Sequence, residues 1–144
     1  MSKRKLDWVK RKQRACDLLK KTKDPVGILD LKNLDMGIYG IHINSRLMYV
    51  GQARNVGIRI FEHFLDWVDN PNQTLGVTYD EFLDIVTDVE VELIESVSDT
   101  KNLNDREKYH INTKKPQFHQ SKNASNIEHC RAALLRIAPV YYGL

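Results

Sequence analysis

Two tyrosines, an arginine, a histidine and a glutamate are the residues of this chain whose types and spacing could do chemistry. Tyr39 and Tyr49 fall in a short apolar stretch, "GIYGIHINSRLMYVG", and Arg59 and His63 follow it four residues apart. That spacing is one helical turn, so a permanent cation and a group titrating near neutrality share a helix face. Glu107, in "DREKYHI", stands one turn after Leu103 and one turn before Ile111, in the row that packs inward. Burying an unpaired carboxylate costs roughly several kcal/mol, and a hard cation such as Mg²⁺ removes that cost. A salt bridge from Glu107 to Lys108 or Arg106 at the helix edge is the structural alternative. Phosphodiester hydrolysis needs a deprotonated water, neutralisation of charge growing on the phosphoryl oxygens, and help for the departing alkoxide. Arg59 suits the second task, because a guanidinium stays charged and can hold two phosphate oxygens in one plane.

The elements that must position these groups follow from periodicity. Residues 3 to 22 read as a basic helix with Leu6, Val9, Cys16 and Leu19 on its apolar stripe and Trp8, Ala15 and Leu18 alongside, Trp8 being expected in the core. Residues 37 to 43 and 47 to 50 read as a β-hairpin. A three-residue turn at Asn44 to Arg46 pairs Ile41 with Tyr49 and puts Tyr39 and Tyr49 on one face, whereas a two-residue turn sends them to opposite faces; three is the expectation. Asn55 is a plausible N-cap for a helix to Trp67, with Ile58, Phe61, Leu65 and Val68 inward. "DNPNQTLGV" reads as a loop, Thr78 and Glu81 as a capping box over a helix at residues 79 to 86, and "DVEVELI" as a half-buried strand with an acidic outer face. Helices at about 102 to 113 and 126 to 137 follow, the first stopped before Pro116 and the second with Ile127, Cys130, Leu134 and Ile137 inward. The fold class expected is α/β (α+β), a small three-stranded antiparallel sheet flanked by helices, in one domain over residues 1 to 144.

Gly37-Ile38-Tyr39, then Tyr49-Val50-Gly51, then Arg59 eight residues after that glycine, then Glu107 in "DREKYHI", resembles the GIY-YIG nuclease family. The resemblance runs from about Met36 to Asn123, some 88 of 144 residues, and rests on four elements in order. It implies phosphodiester hydrolysis with one divalent ion per active site, Mg²⁺ or Mn²⁺, held by Glu107. It also implies that Tyr39 and Tyr49 are paired site tyrosines and that Arg59 is the arginine of the helix after the hairpin. His63 is similar to a histidine carried there by restriction-enzyme members. Where many members have an asparagine after a "KP" turn, this chain has His119 in "KPQFH", with Asn123 four residues later, and both are candidates. Tyr39 is the candidate general base or proton relay, with His63 as the alternative proton acceptor. Tyr49 orients water or phosphate, or else packs across the strands.

Charge points to the partner. Residues 1 to 24 carry ten Lys/Arg against three Asp/Glu, residues 65 to 100 none against ten, and residues 101 to 144 eight against three. Separate basic and acidic blocks in a small domain orient it toward a polyanion, and double-stranded DNA is the expected partner. Lys10, Arg11 and Arg14 at one end, Lys114 and Lys115 at the other, and Arg54 in the "YVGQAR" turn are the candidate phosphate contacts. His42, His110 and His129 lack paired ligand spacing and read as ordinary partly buried side chains, which argues against zinc. Cys16 and Cys130 read as reduced thiols. A charged N-terminus without an apolar core behind it, and no run long enough for a membrane span, predict a cytoplasmic protein that uses no membrane. Monomer and homodimer are both open, and the size suits a phage or mobile-element nuclease. The rival reading is a nucleic-acid-binding module that keeps the fold without cleavage; an Asp…Glu-x-Lys nuclease drawn from "DVEVEL" fails for want of the lysine.

Overall fold

The computed structural model describes residues 3–30, 34–119 and 127–139. The chain runs through α1 (Lys3–Lys20), a two-residue strand β1 (Thr22–Lys23), the hairpin β2 (Gly37–Ile43) and β3 (Arg46–Ala53), then α2 (Val56–Asp69). A single-turn helix α3 (Pro71–Thr74), α4 (Tyr79–Ile85), β4 (Val89–Ser96), α5 (Leu103–Lys114) and α6 (Ile127–Ile137) complete it. The sheet order is β1-β4-β2-β3. Its three long strands pair antiparallel, as expected, and a fourth, parallel strand is added where Thr22 and Lys23 lie against Val89 and Glu90. Helix α1 therefore stops at Lys20 rather than at residue 22. Lys21 fixes that end by donating from Nζ to the Leu83 and Val86 carbonyls, both at 2.8 Å, at the C-terminus of α4.

The hairpin departs from expectation in its turn and still reaches the expected face. Ile43 pairs with Arg46, so the turn holds two residues, Asn44 and Ser45, at φ 50° and 66°. These are the left-handed conformations of a type I′ turn, whose twist matches the flanking strands. Asn44 tolerates its conformation because its side chain is tied down, donating to the Ile85 carbonyl at 2.7 Å and the Ile137 carbonyl at 3.0 Å and accepting from the Thr87 N–H at 2.8 Å. Two turn residues alone would put the tyrosines on opposite faces. A bulge reverses that: His42 pairs with Leu47 but Ile41 pairs with Tyr49, which leaves Met48 as the extra residue. Tyr39 and Tyr49 thereby share a face.

Both faces of the sheet are covered. Tyr39, Ile41, Ile43, Met48, Val89 and Val91 join Ala15 and Leu18 of α1, Ile60 and Phe64 of α2, Phe82 of α4 and Leu134 of α6 in one core. On the other face Ile38, Val50, Val97 and Leu103 form a smaller core beneath α5. Two apolar stripes are rotated from their expected positions. In α1 the buried residues are Ala15 and Leu18, whereas Trp8 is 55 % exposed and Val9 and Cys16 face solvent. In α2 they are Val56, Ile60, Phe64, Trp67 and Val68, while Ile58 is 54 % exposed and Phe61 also reaches solvent. Apolar residues form one arc on α2, wider than a single packing face, opposite Arg59, Glu62, Asp66 and Asp69, and packing against the sheet and α1 buries the side of that arc next to His63. In α6, Cys130, Ala133 and Leu134 are buried and Ile127 is exposed. The Thr78–Glu81 capping box is present with both of its hydrogen bonds. No helix among the described residues is long and apolar enough to cross a membrane.

Candidate active site

Helix α2 and the hairpin build the site between them. The Asn55 side chain accepts the Ile58 N–H at 3.0 Å and starts α2 one residue later. With Ile60, Phe64 and Trp67 turned inward, His63 lies on the flank of the buried stripe, over the phenols. The Tyr39 hydroxyl and His63 Nε2 are 2.7 Å apart. The Tyr49 ring meets His63 at 4.5 Å and His119 at 4.8 Å between centroids, and Tyr39 and Tyr49 are 6.1 Å apart. Gly51 explains how the first phenol fits. A Cβ at Gly51 would collide with the Tyr39 hydroxyl and with the Tyr49 ring, so only glycine leaves room for the Tyr39 phenol against β3.

Burial moves each of these groups toward its neutral form. Tyr39 is fully buried, and burial raises its phenol pKa strongly, with the neighbouring Tyr49 adding to the effect and Arg59 opposing it. Burial likewise raises Tyr49. His63 is pushed down to about 4 by burial, then by the positive charge of Arg59 and by the neighbouring His119 imidazole. At neutral pH the pair is therefore a protonated phenol beside a neutral imidazole. Burial also lowers His119, whose Nε2 accepts the Val50 N–H at 3.4 Å. Arg59 is largely exposed, with Nη1 on Glu62 Oε2 at 3.0 Å, a surface pair that an arriving phosphate can displace at small cost.

Glu107 approaches from the other side of the sheet. Its helix, α5, packs on the face opposite the phenols, and its carboxyl reaches the edge strand β3. Neither Lys108 nor Arg106 holds it: Arg106 is bound to Glu95 at 2.8 Å. Burial raises the Glu107 pKa, and the Gln52 side-chain amide and backbone N–H draw it partly back. The Gln52 amide is fixed in turn by Asn104 Oδ1. Glu107 acts on both phenols, raising each, which places the carboxylate within electrostatic reach of Tyr39 and Tyr49 across the edge of β3. Among the described residues no three His, Cys, Asp or Glu side chains group as metal ligands. A half-buried carboxylate opposed only by amide groups suits a single hard cation whose other positions are taken by water and phosphate.

The structure thus brings together Tyr39, Tyr49, His63 and His119, with Arg59 and Glu107 acting on them at longer range. It does not gather the proposed phosphate contacts. Arg14 donates to the Val68 carbonyl at 3.3 Å and lies over the Tyr79 ring at 4.1 Å, and Arg11 pairs with Asp69 at 3.6 Å, so both bind α1 to the end of α2. Lys10, Arg54, Lys114 and Lys115 are exposed, but α1 and α5 pack on opposite faces of the sheet and do not flank one groove. Asn123 lies outside the described residues. His42 pairs with Glu92 at 2.8 Å, His110 with Glu95 at 2.8 Å, and His129 lies 2.9 Å from the Gln117 carbonyl. Sequence reading missed Gln52 and Asn104, and gave Gly51 only as part of the Tyr49-Val50-Gly51 motif. Asn104 stands three residues before Glu107 on the same helix face, and that spacing was the available signal. Compared with protein-family models, with curated proteins and with solved structures, the chain matches none.

Proposed function

We propose that this protein is a divalent-metal-dependent endonuclease that hydrolyses phosphodiester bonds in DNA, in the manner of the GIY-YIG nucleases its motifs resemble. The observation that carries the reading is the 2.7 Å contact between the Tyr39 hydroxyl and His63 Nε2, a pair whose pKa values burial drives in opposite directions. A phenol and an imidazole forced to stay neutral side by side form a proton path and contribute little as an ion pair.

In this mechanism Arg59 leaves Glu62 and holds two oxygens of the scissile phosphate, offsetting the charge that grows on them. Tyr39 takes a proton from the attacking water as its own passes to His63 Nε2, so that no free phenolate forms. His63 begins as a weak base, and the anionic phosphate raises its pKa toward neutrality as it binds. Half-buried Tyr49, which interacts with the Tyr39 hydroxyl, orients the water beside it. Glu107 would hold Mg²⁺ or Mn²⁺, which when bound supplies Lewis-acid stabilisation of the phosphoryl and leaving oxygens.

Cleavage of supercoiled plasmid tests this. With Mg²⁺ the protein nicks or linearises the plasmid, EDTA stops it, and Glu107→Ala or Arg59→Ala lowers the rate by about 10²–10³-fold. Cutting that survives Glu107→Ala in purified protein removes the metal assignment. Binding without turnover on duplex, branched and single-stranded substrates makes the protein a nucleic-acid-binding module.

A further inference from the structure

A cavity of about 240 Å³ opens beside the proton path and plays no part in it. Rings from three parts of the fold line it: Tyr49 of β3, Trp67 of α2, and Phe118 and His119 of the turn after α5. Trp67 and Phe118 meet edge to face at 6.0 Å, and Tyr49 and His119 are tilted at 4.8 Å. Pockets for drug-sized ligands run from about 300 to 1,000 Å³, so this one suits a single planar heterocycle.

Two polar groups add to the aromatic lining. His119 is kept neutral by burial and accepts the Val50 N–H at Nε2, which leaves its proton on Nδ1 as a donor. Thr74 gives its hydroxyl proton to the Asn70 carbonyl at 2.9 Å, which leaves its oxygen as an acceptor. Aromatic faces with a donor and an acceptor are the chemistry by which proteins hold an unstacked base.

We propose that this cavity receives one nucleobase, unstacked from its strand, belonging to the nucleotide next to the phosphate held at Arg59 and His63. The assignment rests on the nuclease reading for its substrate. Tyr49 is the link, since one ring touches His63 and also lines the cavity, so the base and the phosphate belong to neighbouring nucleotides. The substrate class that follows is duplex DNA with a bulged or mismatched nucleotide, where unstacking is least costly.

Trp67 reports on the cavity directly. The chain has two tryptophans, and the exposed Trp8 can be replaced by Phe to leave Trp67 as the sole emitter. That protein is titrated in EDTA with a perfect duplex, a duplex carrying a one-nucleotide bulge, and the same bulge made abasic. The base-bearing bulge quenches Trp67 and binds about tenfold more tightly than the other two. Thr74→Phe, which fills the cavity from its half-buried edge, removes both the quench and the tenfold preference. Equal affinity for the base-bearing and abasic bulges overturns the proposal, as does a quench that survives in folded Thr74→Phe protein. If Thr74→Phe does not fold, the comparison of the two bulges on the parent protein decides. Cleavage on adding Mg²⁺ at equal rates for the base-bearing and abasic bulges overturns the cavity assignment alone, whereas base-dependent binding with no cleavage on adding Mg²⁺ overturns the nuclease reading alone.

Discussion

The two faces of the sheet treat the same residue types in opposite ways. On the face under α5, His42 has Glu92 at 2.8 Å, and Glu95 has both Arg106 and His110 at 2.8 Å. His42, Glu92 and Glu95 each meet a partner that stabilises the charged form: the hydrogen bond between His42 and Glu92 raises the imidazole and lowers the carboxyl, and Arg106 followed by His110 lowers Glu95. On the face under α2, His63 is buried against a phenol with a guanidinium as its neighbour, so burial first and then the Arg59 charge penalise its charged form. Glu107 stands on the α5 side yet follows the rule of the α2 side, opposed by an amide rather than a cation and raised by burial. Groups with a counter-charge tie elements of the fold together, and in the nuclease mechanism we propose the groups denied one meet it in substrate or ion.

The sharpest way to break this contrast is to remove each histidine. His63→Ala is expected to lower cleavage by about 10²–10⁴-fold, the range for loss of a positioned proton acceptor, while His42→Ala leaves turnover within a few-fold. Steady-state rates on one DNA substrate compare the two, and an equal loss in both variants makes His63 a structural residue. A smaller effect separates the carboxylates. Gln52→Met keeps the length of the side chain but loses its donor toward Glu107, and is expected to raise the Mg²⁺ concentration for half-maximal cleavage by about tenfold with the melting temperature unchanged. Glu95→Gln is expected to do the reverse, lowering the melting temperature by thermal denaturation while the Mg²⁺ requirement stays put.

A separate effect is on stability against pH, where the histidines carry opposite signs. His63 titrates near 6.5 when unfolded and at about 4 when folded. Above pH 6.5 both states are neutral and stability is full; as pH falls from 6.5 to about 4 the unfolded state binds the proton first, at a cost of up to about 3 kcal/mol. The folded pKa of His42 is raised, so its contribution is present below pH 6.5 and is lost as pH rises through the folded value. Urea unfolding from pH 4 to 8 should show His63→Ala flattening the acid side of the profile and His42→Ala flattening the other. A parent profile that His63→Ala leaves unchanged removes the depressed imidazole from the account.

Local chemistry in the sequence determined a good deal. Asn55 as an N-cap, the Thr78–Glu81 box, the alternation of Val89 and Val91 with acidic residues and the inward row of Leu103, Glu107 and Ile111 all act within a few residues of themselves, and all are present. Tertiary structure alone decided the rest, because each remaining choice had two local solutions of similar energy. The hairpin could turn in two residues or three, and the anchoring of Asn44 to α4 and α6 together with the bulge at Met48 produced the expected face by a different route. Helix α2 offered an apolar arc wider than one packing face, and the fit between the sheet and α1 buried the side of it that sets His63 over Tyr39. The basic residues of α1 could serve DNA or the fold, and Asp69, Val68 and Tyr79 claimed Arg11 and Arg14 for the fold. Residue type and spacing named the groups able to do chemistry; whether each met a counter-charge depended on elements far apart in the chain, and that is what sets their pKa values.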